Sequence, residues 1–141
     1  KVYYEPEKHT DTKDIFIVDF TSTSVSDNKK QVINYLNQIR NEYSDRKFVS
    51  VSFSDINPIR DLSDDIKFDG YIEVENIFRY CDLISSVYGY VSLHSGGTHL
   101  SSALQEYSPD MKSFCILSKD WYNMHKRKGI FLFDNVEYMR Y

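Results

Sequence analysis

The chain has 141 residues and a mass of 16.7 kDa, a length that corresponds to one domain with a sizeable core. Its content of 41% hydrophobic and 27% charged residues is ordinary for a folded protein and argues against disorder as the main state. The net charge of −4 argues against a large basic face, so no nucleic-acid partner is expected.

The apolar pattern predicts strands that alternate with helices along most of the chain. Residues 14–20 form a nearly continuous apolar run, which is typical of a strand buried on both faces. Apolar residues spaced three and four apart predict helices, and strict alternation predicts strands. The first half of the chain is predicted to contain an arm (1–13), a strand (14–20), a hydroxyl-rich loop (21–27) with Ser26 or Asp27 as helix cap, a helix (about 28–43), a strand (47–53) and a loop (54–70). A short strand (71–74) follows, and then a helix that carries Ile77, Cys81, Ile84 and Tyr88. The remaining elements are a strand (90–93), a helix (about 98–107), a strand (113–117), a short basic and aromatic segment (120–128) and a last strand (129–133).

This order of elements predicts an α/β fold. Strands separated by helices favour a mostly parallel sheet between two layers of helices, which is a Rossmann-like three-layer domain over residues 14–141. Right-handed crossovers then place the loops that follow the strands along one edge of the sheet. Ligands of such folds bind along that edge, so the residues just after each strand are candidates for a site.

Cysteine use and hydropathy bear on the location of the protein. Cys81 and Cys115 lie in apolar stretches outside any CxxC pair and are expected to be buried free thiols, as in a reducing compartment. No apolar run approaches the roughly 20 residues of a membrane-spanning helix. No signal-peptide pattern is present either. A cytoplasmic location is therefore expected, with peripheral attachment at the inner face of the membrane as an option.

Two adjacent glycines mark the most informative stretch, which runs from Leu93 to Leu104 and reads Leu-His-Ser-Gly-Gly-Thr-His-Leu-Ser-Ser-Ala-Leu. Gly96 and Gly97 fall between a predicted strand and a helix of small residues, where a missing Cβ lets the backbone approach a ligand. The start of the helix adds free N–H groups and a partial positive charge, which suit a phosphate or diphosphate. A tight turn with Ser95 or Thr98 as cap explains the same residues, and spacing alone does not separate the two interpretations.

The run from about Tyr71 to Leu117 resembles the donor-binding half of a GT-B glycosyltransferase and is most similar to the heptosyltransferase-like glycosyltransferase family 9. That family carries Asp-Ser/Thr-Gly-x-x-His-Leu-Ala-Ala-Ala after a strand. His94 stands where the family has the Asp that faces the donor sugar, and Ser101 and Ser102 replace two alanines. The residues that match in register are Ser95, Gly96, His99, Leu100, Ala103 and Leu104.

The resemblance implies a nucleotide-sugar donor as the ligand, without a metal or other cofactor. The chain would then be the C-terminal half of a hexosyl- or heptosyltransferase that acts on a cell-surface glycan, a lipopolysaccharide-type acceptor or a lipid-linked acceptor. The general base of such enzymes comes from the N-terminal half, which is expected upstream in the same longer chain, with 1–13 as the interdomain linker and Lys1 as a cut at a domain boundary. The residues that the resemblance places at the donor and its diphosphate are His94, Ser95, Gly96, Gly97, Thr98 and His99.

Two further groups are additional candidates for the same site. Thr21, Ser22 and Thr23 follow the first strand, where the family has a small-residue loop, and their hydroxyls could donate to phosphate. The basic residue that the family often has there is missing. Glu73 lies near the end of the short strand and Glu75 directly after it, where they could reach a ribose hydroxyl or a base. A plain strand–helix connection and a solvated acidic pair are the ordinary alternatives for these groups.

Other functions stay open beside the glycosyltransferase interpretation. The domain could be a non-catalytic α/β binding or assembly module, which His94 in place of Asp favours. A receiver-like phospho-acceptor domain would use Asp19 and Lys119, although residues 71–74 lack its third-strand Asp. The basic run 125–128 is expected to be a solvated segment. HExxH, GxSxG and other metal-ligand or hydrolase patterns are absent from the sequence.

Overall fold

The computed structural model describes residues 4–22, 28–53, 60–61 and 66–141. In chain order the elements are β1 (Phe16–Asp19), β2 (Thr21–Ser22), α1 (Lys29–Glu42), β3 (Phe48–Phe53), β4 (Arg60–Asp61), β5 (Gly70–Val74), α2 (Ile77–Ser86), β6 (Gly89–Leu93), α3 (Gly96–Leu104), β7 (Lys112–Leu117), α4 (Lys119–Lys128) and β8 (Glu137–Arg140). A six-stranded sheet has the order β5-β3-β1-β6-β7-β8 with every neighbouring pair parallel, and β2 pairs with β4 in a separate antiparallel ribbon. The predicted Rossmann-like α/β class is confirmed.

The order of the large sheet reverses direction at β1. Counted along the chain, its six strands lie in the order 3-2-1-4-5-6, which is that of a doubly wound sheet. β1 therefore has the second strand on one side and the fourth, β6, on the other, with Asp19 opposite Ser92 in register. Ligands of doubly wound folds bind outside the carboxyl ends of the strands at such a reversal of strand order.

β1 lies between two hydrophobic layers, which explains its continuous apolar sequence. Phe16 and Val18 pack in the cluster that contains the buried face of α1. Ile17, between them, points to the other side and packs with residues of α2 and α3. Because alternate residues face opposite layers, all four positions of β1 are buried.

α1 has the apolar spacing that was predicted, but its cap is different. Val32, Leu36 and Ile39 are its buried residues. The cap is Asn28, whose side chain accepts a hydrogen bond from the Gln31 N–H at 3.2 Å. The proposed caps Ser26 and Asp27 lie outside the described residues. At 14 residues α1 is too short to cross a bilayer, and no other helix within the described ranges is long and apolar enough to do so.

The end of the chain differs from the prediction. The predicted strand over 129–133 is wrong, and the last strand is β8, further along the chain. The segment before it forms α4, which is capped by Ser118 and ended by Gly129 in the left-handed conformation (φ 66°). The apolar residues after Gly129 pack against helix side chains instead of pairing in the sheet, as Phe131 does on His99. The residues after Gly129 are apolar but do not follow the alternation of a strand, and Gly129 is the sequence signal for the end of the helix before them.

Residues of the predicted arm pack along α2. The Asp82 carboxylate accepts hydrogen bonds from the Tyr4 hydroxyl and the Glu7 N–H, each at 2.8 Å. The His9 N–H donates to the Ser86 hydroxyl at 2.8 Å. The arm is thus fastened at several points, although it has no helix or strand of its own from residue 4 to residue 14. Cys81 and Cys115 are buried and form no disulfide, as expected.

Gly89, at the start of β6, allows close packing in the centre of the fold. A Cβ added there would lie 2.1 Å from Cε1 of Phe16, whose ring is stacked on Phe48 at 4.6 Å. Gly89→Ala is therefore expected to lower the free energy of unfolding by about 3 kcal/mol in urea titrations. Gly70→Ala is the matched control, because its Cβ would meet only Val49 at 3.7 Å. Equal stability of the two variants would contradict the prediction.

Candidate functional site

The turn from β6 to α3 lies at the carboxyl ends of the strands where the sheet order reverses. β6 ends at Leu93 and α3 begins at Gly96, with Ser95 as the N-cap in extended conformation. The N–H groups of the first turn of a helix have no intrahelical partner, and the helix dipole adds partial positive charge there. The structure thus places the predicted turn His94–His99 next to the carboxyl end of β1.

The two glycines of this turn meet different requirements. A Cβ on Gly97 would lie 2.1 Å from the hydroxyl of Tyr90 and 3.4 Å from a carboxylate oxygen of Asp19. Gly97 is therefore required by packing inside the protein. A Cβ on Gly96 would have nothing within 4 Å, so that position borders open space. Gly129 is the one glycine with positive φ among the described residues, so neither glycine of the turn is needed for its backbone angles.

Thr98 is a capping residue inside the protein. Its side chain is fully buried, and its hydroxyl donates to the Leu93 carbonyl at 2.8 Å. The same oxygen lies 2.8 Å from the Ser92 hydroxyl and 3.4 Å from the Ser95 N–H. Because a hydroxyl has one proton and that proton is donated to Leu93, Thr98 has no donor left for a diphosphate. The structure supports the capping interpretation of this residue.

A buried carboxylate lies beneath the turn. Asp19, at the end of β1 and 4% exposed, accepts hydrogen bonds from the hydroxyls of Tyr80 at 2.6 Å and Tyr90 at 3.3 Å. The Thr21 N–H and hydroxyl donate to its other oxygen at 3.0 and 2.5 Å. Burial raises the pKa of both tyrosines well above the usual value, so both hydroxyls keep their protons and can donate. We call Asp19, Tyr80 and Tyr90 the buried triad.

The receiver-like alternative is contradicted by this geometry. A receiver domain has the strand order 2-1-3-4-5, whereas the order here is 3-2-1-4-5-6. A phospho-acceptor must also be reachable, and Asp19 is enclosed by hydrogen-bond donors.

The buried triad could not be predicted from the sequence, because its members come from β1, α2 and β6 and no local pattern connects them.

The additional candidates do not join the turn. Thr21 donates its hydroxyl to Asp19, Ser22 pairs with Arg60 in the small ribbon, and Thr23 and the Ser22 side chain lie outside the described residues. Glu73 and Glu75 are exposed at the far edge of the sheet. Three strand spacings, about 14 Å, separate β5 from β6. Neither glutamate can therefore reach a ligand phosphate at Gly96.

An imidazole cluster borders the turn on its other side. The rings of His94 and His125 are stacked with centroids 4.7 Å apart, and His94 and His99 meet edge to face at 5.8 Å. Phe131 stacks on His99 at 5.4 Å. His125 was expected in a solvated basic segment, but α4 buries it, and it is 5% exposed. We call His94, His99 and His125 the imidazole cluster. The sequence has no clear signal for this burial, since Trp121, one helical turn earlier, is itself 43% exposed.

One group of side chains within the described ranges has the spacing of metal ligands. One possible ligand atom from each of Glu7, His9 and Asp82 lies within 4.8 Å of the others. Asp82 already accepts from the arm and lies 3.5 Å from the Arg79 guanidinium, whose positive charge takes the place that a cation would need. These contacts give Asp82 a role in holding the arm.

Comparisons with known proteins add no family assignment. The chain matches no protein-family model, and no curated protein has a significantly similar sequence.

Proposed function

We propose that this domain binds a nucleotide-sugar by its diphosphate at the N-terminus of α3 and serves as the donor-binding half of a hexosyl- or heptosyltransferase. The acceptor would be a cell-surface or lipopolysaccharide-type glycan, and the place of action the cytoplasm or the inner face of the membrane. The observation that carries the proposal is Gly96, a glycine in the first turn of α3 that borders open space at the switch point of the sheet.

The chemistry of sugar transfer fits what this turn offers. In the reaction, the bond between the anomeric carbon and the diphosphate breaks and a bond from the acceptor oxygen forms. Negative charge then develops on the departing nucleoside diphosphate. The N–H groups of Gly96 and Gly97 and the dipole of α3 are placed to stabilise that charge. The proton of the acceptor hydroxyl goes to a base, which the proposal places in the N-terminal half of the transferase.

Calorimetric titration with UDP-glucose, ADP-glucose, GDP-mannose and inorganic pyrophosphate tests the proposal. Saturable binding of at least one nucleotide-sugar is expected. Gly96→Val should weaken it more than tenfold, because the new side chain fills the space that the diphosphate needs. The variant should fold normally, since nothing lies within 4 Å of the added Cβ.

The matched control is Gly70→Ala, which adds a Cβ at a site three strands from the turn. It should leave the affinity unchanged. Binding that survives Gly96→Val would contradict a diphosphate site at α3. A folded protein that binds no member of the panel would contradict the proposed function as a whole.

A non-catalytic binding module is the second candidate, and one observation favours it. The buried Asp19 places a negative charge beneath the N-terminus of α3, where it already uses part of the positive potential of the helix. A module of this kind would retain the fold and bind a protein partner. Absence of binding by the whole panel, together with an intact fold, is the result that this candidate predicts.

A further inference from the structure

The imidazole cluster contains hydrogen-bonding groups without partners. Nε2 of His99 and both ring nitrogens of His125 are buried and make no hydrogen bond to any described residue. Almost all buried polar atoms of folded proteins have a partner, and each exception needs an explanation. His94 differs, because its Nε2 lies 3.2 Å from the Phe131 carbonyl oxygen. Three unpaired imidazole nitrogens therefore lie beside the turn that begins α3.

The electrostatic surroundings keep these rings neutral in the free protein. Burial, and then the neighbouring His94 ring, lowers the pKa of His99 below its usual 6.5. Burial likewise lowers the pKa of His125, and the neighbouring His94, Lys128 and His99 lower it further. Within the described part of the chain, no carboxylate forms an ion pair with either ring. His94 and Lys128 are the neighbouring groups from the turn and from α4, and Asp134 of the loop that packs on His99 is exposed and pairs with neither ring. A negative charge is therefore what the cluster lacks.

The loop that covers the cluster is held in a strained conformation. Phe131 has φ 60°, which is the left-handed region that residues other than glycine seldom occupy. Its ring covers His99 and its carbonyl faces His94. Paired hydrogen bonds between Asn135 and Ser102, at 2.6 and 2.9 Å, tie the same loop to α3. The loop is therefore joined to α3 at two places, at His99 by ring stacking and at Ser102 by hydrogen bonds.

We propose that a diphosphate bound at the N-terminus of α3 draws one proton from solvent onto the imidazole cluster, so that affinity rises as the pH falls towards 6. The inference rests on the proposed function and adds His125 to the residues of its site. The bound anion supplies the missing negative charge and stabilises the charged form of a ring. In the free protein the same ring is neutral, and binding is accompanied by proton uptake in the range between its free and its bound pKa.

Calorimetry with UDP-glucose and ADP-glucose measures the proton directly. Both phosphates of these probes are esterified, so the ligand itself takes up no proton near neutrality. The binding enthalpy is recorded at pH 6.5 in buffers with different heats of ionisation, and the slope gives the number of protons. We expect an uptake of up to one proton for each ligand bound. The affinity should increase up to about tenfold for each unit by which the pH is lowered from 7.5 to 6.

Three variants locate the proton. His99→Gln and His125→Gln should each reduce the uptake and flatten the pH dependence. His9→Gln is the matched control, because His9 is exposed and belongs to the arm, so it should change neither. Folding stability must be followed at every pH, since a lowered histidine pKa means that the folded chain loses stability as the pH falls through about 6.5.

The wild-type protein offers a second measurement if His125→Gln does not fold. Histidine ring signals in NMR spectra, titrated with and without UDP-glucose or ADP-glucose, should show at least one ring of the cluster with a raised pKa in the complex. Binding without proton uptake overturns this inference and leaves the proposed function standing. Binding of none of UDP-glucose, ADP-glucose and GDP-mannose between pH 6 and 8 overturns both.

Discussion

Gly97→Ala is expected to lower the free energy of unfolding by about 3 kcal/mol, and removal of the Tyr90 hydroxyl is expected to restore much of that loss. The added Cβ would lie 2.1 Å from the Tyr90 oxygen. That oxygen cannot move aside, because the side chain is fully buried and hydrogen-bonded to Tyr80 at 2.6 Å and to Asp19 at 3.3 Å. Apart from that oxygen, the atoms nearest to the added Cβ are Cζ of Tyr90 and a carboxylate oxygen of Asp19, each at 3.4 Å, and small shifts of these neighbours can accommodate it.

A double-mutant cycle measures this effect. Tyr90→Phe alone should cost about 1–2 kcal/mol, because it removes a buried hydroxyl that donates to Asp19. In Gly97→Ala with Tyr90→Phe the clash is absent, so the double variant should be more stable than Gly97→Ala alone, with a coupling of about 2 kcal/mol. Urea titrations of the four proteins give the result. Additive losses would mean that Gly97 is not required by Tyr90.

Asp19→Asn is expected to change stability and ligand affinity in opposite directions. The carboxylate accepts hydrogen bonds from Tyr80, Tyr90 and Thr21, and an amide group would place donors against donors. We expect a loss of about 1–3 kcal/mol in the free energy of unfolding. Nucleotide-sugar affinity should instead rise roughly threefold to tenfold, because a negative charge is removed from beneath the N-terminus of α3.

Asp69→Asn separates the two effects. Asp69 also accepts a backbone hydrogen bond, from the Phe48 N–H at 2.8 Å, but it lies before β5, at the opposite end of the strands from the turn. This variant should change stability by about 1 kcal/mol and leave affinity unchanged. Calorimetric titration with UDP-glucose or ADP-glucose checks both variants. An Asp19→Asn protein that binds no more tightly than the wild type would place the diphosphate outside the field of this carboxylate.

Local pattern was enough to predict most of the fold. The run at β1 and the spacing of Val32, Leu36 and Ile39 predict their elements because burial on two faces or on one helical stripe leaves a periodic trace. The turn at Gly96 and Gly97 was also identified from the sequence. The strand predicted over 129–133 is wrong, because Phe131 and Phe133 pack on His99 of α3 and do not pair in the sheet.

The roles within the turn depend on contacts between distant parts of the chain. Two adjacent glycines have the same local sequence signal, yet Gly97 is required by Tyr90 and Gly96 borders open space. The sequence places the Thr98 hydroxyl in a loop of the kind that binds phosphate. In the structure that hydroxyl donates to the Leu93 carbonyl, so Thr98 acts as a capping residue.

Composition, periodicity and the glycine pair were sufficient for the α/β class and for the turn between β6 and α3, because they reflect forces that act between near neighbours in the chain. The buried triad and the imidazole cluster were not accessible in that way. Their members come from β1, α2 and β6 in one case, and from α3, α4 and the turn in the other. Side chains so far apart in sequence acquire their burial, charge and partners only when the sheet and helices bring them together.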